Sequence, residues 1–126
     1  MSRIRSRLLT TMLACAVLAG CGSYRAYEGP ALPRAERARV AADPSFSAGL
    51  PVQVILRKVD DREVPLGRSA VELAPGRHVF IVDCRLAETG SATRFVLEAE
   101  VDAGAEYRLE AEATAVGCER VELRRL

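Results

Sequence analysis

Between Val52 and Leu123 the apolar residues recur at every second position in six short runs. A period of two is what a strand shows when one of its faces rests on a core. Val52, Val54 and Leu56 alternate with Gln53 and Arg57, while Ile55 puts an apolar residue on the opposite face. Val71 and Leu73 form a brief second run. Phe80, Val82, Cys84 and Leu86 point one way in the third, with Ile81, Asp83 and Arg85 pointing the other, a mixed outer face that suits a central strand. Phe95 to Val101 and Tyr107 to Ala113 alternate most cleanly, and Val121 with Leu123 ends the series. No helical period follows residue 42. The connections carry turn chemistry: Asp60-Asp61-Arg62-Glu63 is polar, Ala74-Pro75-Gly76-Arg77 fits a type II turn, and Asp102 to Glu106, with Gly104, suits an antiparallel hairpin. Residues 50–126 are therefore predicted to form an all-β domain, a small antiparallel β-sandwich or a partly open barrel of about seven strands.

The first residues follow different rules. Arg3, Arg5 and Arg7 precede an apolar run, Leu8 to Gly20, of 13 residues in which only Thr10 and Thr11 are polar. A membrane-spanning helix needs roughly 20 residues, so the run reads as the core of a secretory signal. Its end, Leu18-Ala19-Gly20-Cys21, resembles the lipobox of bacterial lipoproteins, in which an aliphatic residue and two small ones precede the lipid-accepting cysteine. A thiol is required there because sulfur is the nucleophile that takes the diacylglycerol. The resemblance implies that residues 1–20 are a signal peptide, that cleavage falls before Cys21, and that the chain is then held on a membrane by several acyl chains. Gly22 stands where an aspartate would signal retention in the inner membrane. Lipoproteins of this kind are carried to the periplasmic face of the outer membrane, and that localisation is the expectation here. Cleavage after 20 of the 126 residues leaves 106, and loss of three arginines with no acid takes the formal charge from +1 to −2.

Residues 21–49 lack a sustained period and carry Gly29, Pro30, Pro33, Pro44 and Gly49. That composition predicts an irregular, lipidated stem or linker. Within it Arg34 to Val40 admits two readings, a short helix begun at Pro33 or an edge strand ending at Val40.

Val59-Asp60-Asp61, Val64-Pro65-Leu66-Gly67 and Val71-Glu72-Leu73-Ala74-Pro75-Gly76-Arg77-His78 resemble the small β-sandwich modules named for a Pro-Glu-Gly-Ala motif, although the glutamate and alanine of that motif do not follow Pro75. Taken with Tyr27-Glu28-Gly29-Pro30 and Ala103 to Leu109, the set is similar to small proteobacterial outer-membrane lipoproteins of unassigned function. These are turn and strand signals. They imply a fold and an address, and the edge-strand reading of Arg34 to Val40.

Chemistry leaves few marks. The charges alternate in sign, no basic block is present and tryptophan is absent, which argues against nucleic acid as a partner. His78 is the one histidine, so a histidine triad or a multi-histidine metal site has little to draw on. Its expected role is structural, bonded to a nearby carbonyl or to Asp83. The 17 acids lie mostly on polar strand faces opposite arginines, where solvated cross-strand pairs are expected. No glycine-rich phosphate loop and no Gly-x-Ser-x-Gly elbow occurs, and Glu88 to Thr93 reads as a hairpin turn. A non-enzymatic domain without metal or cofactor is expected. Its partner, besides the membrane reached through Cys21, is expected to be an envelope protein or a cell-wall component. Ile55, Ile81 and Val96 would begin such a surface if they prove adjacent. An alternative is a lipidated inhibitor of a lysozyme-like, wall-cleaving enzyme, since Gly90-Ser91-Ala92-Thr93-Arg94-Phe95 is similar in outline to the loop such inhibitors insert.

The cysteines divide by fate. Cys15 leaves with the signal and Cys21 takes lipid. Cys84 and Cys118 remain in an oxidising compartment, and an even remainder predicts a disulfide between them.

Overall fold

A computed structural model describes residues 23–47 and 49–126. Leu18, Ala19, Gly20 and Cys21, and with them the expected cleavage and lipidation, lie outside the described residues.

The described residues form ten strands: β1 (Ser23–Arg25), β2 (Ala38–Ala41), β3 (Ser45–Ser47), β4 (Leu50–Val59), β5 (Arg62–Glu63), β6 (Ala70–Leu73), β7 (Gly76–Leu86), β8 (Ala92–Val101), β9 (Glu106–Thr114) and β10 (Gly117–Arg125). They form two sheets facing each other as a sandwich. The first has the order β1-β6-β2-β9-β10; the second runs β3-β4-β7-β8, with β5 paired to β4. Each of the six alternating runs lies in a strand, and β7 is central, between β4 and β8. The inward set of β7 is the middle of the core: Phe80, Val82 and Cys84 are wholly buried. Val71 and Leu73 of β6, Val40 of β2 and Leu109 of β9 meet them from the other sheet. Burying this apolar face is the main force holding the sheets together.

Three expectations change. Residues 23–47, expected as part of a stem, contribute β1, β2 and β3 to the sandwich. Strands of three or four residues are too short to display a period, which is why the segment looked irregular. Arg34 to Val40 divides: Arg34–Glu36 makes a single 3-10 turn, and the extended backbone of Arg37 leads into β2. Ala38 and Val40 are wholly buried, so β2 lies inside its sheet between β6 and β9 and is no edge. Both sheets are mostly antiparallel, as expected, with two parallel pairs. β1 runs parallel to β6, and β2 parallel to β9, an arrangement open to strands joined by long crossovers.

The third change concerns Asp102 to Glu106. β8 does not pair with β9; the connection carries the chain from the second sheet to the first. The Gly104 N–H donates to Arg37 O at 2.8 Å, and the Asp102 N–H to the Tyr107 hydroxyl at 2.9 Å, contacts that bend the chain across the sandwich. A short glycine-bearing link sets a local bend without selecting the edge it leads to. The cross-strand charge pairs expected on the polar faces occur in the hairpins that do form. Arg77 pairs with Glu98 and Arg94 with Asp83 between β7 and β8, while Arg120 pairs with Glu112 and Arg124 with Glu110 between β9 and β10.

Candidate functional site

The outer face of the second sheet gathers the most chemistry. β4 pairs with β7 so that Ile55 lies opposite Asp83, and the register then shifts between Leu56 and Lys58. The shift leaves Arg57 as the extra residue of a bulge, a device that re-aims a side chain. Arg57 turns to Asp83: its Nε donates to Oδ2 at 2.8 Å. From the other side Arg94 of β8 donates through Nε to Oδ1 at 2.8 Å and through a terminal nitrogen to Oδ2 at 3.1 Å. One carboxylate therefore serves two guanidiniums, and the cluster keeps a positive excess. Asp83 is largely covered, with its side chain 14% exposed. The hydrogen bonds from Arg94 lower its carboxyl below the ordinary range, burial opposes them, and the bond from Arg57 with both positive charges completes the downward shift.

Beside this cluster the apolar residues of the same face come together. Ile81 and Val96 are direct cross-strand partners, and Ile55 is one row away, opposite Asp83. The loop between β5 and β6 overhangs them. Gly67 in that loop takes φ +85, a conformation open to glycine at no steric cost, and Leu66 projects with 86% of its surface exposed. Two open hollows result, sharing Arg57 and Leu66 as their divide. One, of about 360 Å³, is lined by Ala42, Pro44, Gln53, Ile55 and Ser69 among others; the second, of about 270 Å³, by Lys58, Glu63, Ile81 and Arg94. Together they make a trough that is mostly apolar at the Ile55 end and charged at the other, with Arg57 and Leu66 at its middle. Such a trough suits an extended segment bearing apolar side chains and a carboxylate.

His78 is placed elsewhere. One ring nitrogen, Nε2, donates to Ala74 O at 2.7 Å, the carbonyl bond expected of it; the other, Nδ1, lies 2.7 Å from Asp60 Oδ2. The acid is Asp60 and not Asp83, because His78 and Asp83 are five residues apart on one strand and face opposite sides of the sheet. Asp60 also accepts from the Val79 N–H at 2.9 Å, and its own N–H donates to Val79 O at 2.8 Å. Burial pushes the Asp60 carboxyl up, but the bonds from His78 and Val79 and the attraction of His78 outweigh it, and the net shift is downward. A histidine beside an aspartate resembles two members of a hydrolytic triad. Here Nε2, the nitrogen that would take a proton from a nucleophile, is held by a carbonyl. The pair ties the β4–β5 turn, where Asp60 has φ +53, to the start of β7.

These two acids set an acid limit on stability. A carboxyl lowered on folding contributes stability that is complete above its ordinary value, about 4, and is lost as pH falls through the folded value. Thermal melts from pH 7 to 2 should therefore show a fall beginning near pH 4. In Asp83→Asn the melt at pH 7 should drop by the equivalent of about 1–2 kcal/mol, with a shallower acid slope. An unchanged slope would show that Asp83 is not held as described.

Of the remaining expected residues, Cys84 and Cys118 are joined in a disulfide, with α-carbons 6.2 Å apart. Gly90, Ser91 and Ala92 stand exposed at the β7–β8 tip, whereas Arg94 is engaged with Asp83 and Phe95 packs on the core. Among the described residues no three His, Cys, Asp or Glu side chains gather as a metal set, and no helix is long and apolar enough to cross a membrane. Arg57, Asp83 and Leu66 were not foreseen as site residues. A bulge and an overhanging loop leave no periodic signal, and only the coexistence of Ile55 and Arg57 on one short strand hinted at them. Comparison with protein-family models, with curated proteins and with solved structures returns no match.

Proposed function

We propose that this chain is a non-enzymatic envelope lipoprotein, cut before Cys21, lipidated on that cysteine and held at the periplasmic face of the outer membrane, whose β-sandwich binds an extended segment of another envelope protein. The address rests on the basic start, the short apolar run and Leu18-Ala19-Gly20-Cys21. The binding reading rests on one observation: Ile55, Ile81 and Val96 stand together on the outer face, beside a trough where Arg57 and Arg94 share a single carboxylate. Val96 is exposed and Ile55 and Ile81 half-buried, and apolar residues open to solvent around a few fixed polar ones are the anatomy of a recognition surface. The Pro-Glu-Gly-Ala-type resemblance points toward the same kind of non-catalytic module.

Two measurements on the full chain in its host membrane test this. Mass spectrometry of the mature terminus should find Cys21 first and carrying diacylglycerol; an unmodified terminus, or a start elsewhere, removes the anchor from the proposal. A photoreactive residue in place of Leu66 should crosslink one envelope protein. Ile55→Glu, which places a competing acid beside Arg57, should reduce that adduct roughly tenfold, as the loss of a central contact does. An adduct indifferent to Ile55→Glu would count against the trough. Recovery of a wall-cleaving enzyme would replace the proposal with the inhibitor reading.

A further inference from the structure

Among the described residues β8 is the free edge of the second sheet, hydrogen-bonded to β7 alone. It spans ten residues with no register shift, no proline and no lysine. Bulges, proline and charge of one sign ordinarily keep an edge strand from pairing with another chain; the charges of β8, Arg94, Glu98 and Glu100, are of both signs. Coverage is also incomplete at this edge. The inward residues Phe95 and Leu97 are only half-buried, whereas their partners on β7, Val82 and Phe80, are wholly buried.

The backbone groups on that edge can be assigned. Asp60 N–H donates to Val79 O and Leu86 N–H to Ser91 O, so on β7 the odd-numbered outward residues bond toward β4 and the inward ones toward β8. By the alternation of an antiparallel pair, the main-chain groups of Arg94, Val96 and Glu98 face the open edge. We infer that β8 pairs antiparallel with β8 of a second copy, about a two-fold axis through Val96.

Charge and apolar pairing together select this register, since centring on Leu97, although it would oppose Arg94 to Glu100, would set each Val96 against Glu98. With Val96 on the axis, Arg94 of each copy lies opposite Glu98 of the other, and Phe95 opposite Leu97. Centring the pair on Arg94 or on Glu98 would set like charges face to face, and centring on Phe95 would set each Arg94 against Val96. In the chosen register the outer face continues across the axis as a ladder of alternating sign, Arg57 and Asp83 followed by Arg94 and then Glu98 of the second copy. One row along, Val96 meets its counterpart and each copy's Ile81 lies directly behind its own Val96, which doubles the apolar stripe. The same patch thus serves both copies, as a two-fold interface requires.

A cysteine in place of Val96 tests the register in the full, membrane-held chain. Opposed α-carbons of a bonded antiparallel pair lie about 5.5 Å apart, within disulfide reach. Val96→Cys is therefore expected to give a covalent dimer on a non-reducing gel. Glu100→Cys, whose counterpart lies far along the strand, should stay monomeric. For the wild-type chain extracted in mild detergent, native mass spectrometry should show two copies, and Val96→Lys should weaken the association roughly tenfold by placing like charges on the axis. A Val96→Cys chain that remains monomeric, equal crosslinking from both cysteine variants, or a wild-type chain that stays single up to tens of micromolar overturns the inference.

Discussion

Removal of the Cys84–Cys118 bridge by Cys84→Ala with Cys118→Ala is expected to lower the unfolding free energy by about 4 kcal/mol, the chain-entropy value for a closed loop of 34 residues. The bond joins β7 to β10, so it ties one sheet to the other, and its loss frees the carboxyl-terminal hairpin to detach from the second sheet. For a domain of this size the midpoint should fall by roughly 15–30 °C. The double variant is a better probe than a reductant. Cys84 is wholly buried and Cys118 only half-buried, so reduction reports opening as well as bond energy. Melting curves of the oxidised chain and the variant decide the size of the effect, and non-reducing peptide mapping decides the pairing. Two free thiols in protein taken from the envelope, or midpoints within a few degrees of each other, would dismiss the bridge or its role.

Phe80→Ala should be nearly as damaging. Phe80 lies on the central strand opposite Val59 on one side and Leu97 on the other, and none of its surface is exposed. Truncation removes the apolar contacts and leaves a hole that surrounding strands, pinned by their ladders, fill poorly. The loss should be about 3–5 kcal/mol. Val96→Ala, on the outer face of the neighbouring strand, provides the contrast: at 67% exposed it should cost no more than about 0.5 kcal/mol in the isolated copy. Urea titrations of the two variants test the assignment of inside and outside. A Phe80→Ala loss below about 1 kcal/mol would place that ring near a surface.

The parts that were legible in the sequence are those where one chemical alternation ran long enough to be counted. Val52 to Leu56, Phe80 to Leu86 and Tyr107 to Ala113 declared both their strands and their buried faces, and cysteine fate alone paired Cys84 with Cys118. Ser23–Arg25 and Ala38–Ala41 were not legible, because a strand of three or four residues is recruited by its neighbours and carries no period of its own. Ala38, a small residue with little strand preference, is wholly buried because β6 and β9 flank it. Register was the other missing quantity. That Ile81 faces Val96 depends on the register of β7 with β8, and that Arg57 bulges toward Asp83 depends on a one-residue shift between β4 and β7, the two residues lying 26 apart in sequence. The same is true of His78, whose carbonyl partner lies four residues away and whose acid partner comes from a turn 18 residues earlier.

β1 begins at Ser23, so the sandwich starts two residues after Cys21. Two residues at full stretch span only about 7 Å. A lipid on Cys21, as proposed, would thus confine the domain to a layer about one molecule deep, with no arm to search the space beyond. Whatever filled the trough would then have to arrive at the bilayer, and copies moored at equal height would meet edge to edge by lateral diffusion in a plane. Confinement of that kind raises effective concentration without adding a contact, so the β8 pairing would be more complete on the membrane than in the extracted chain.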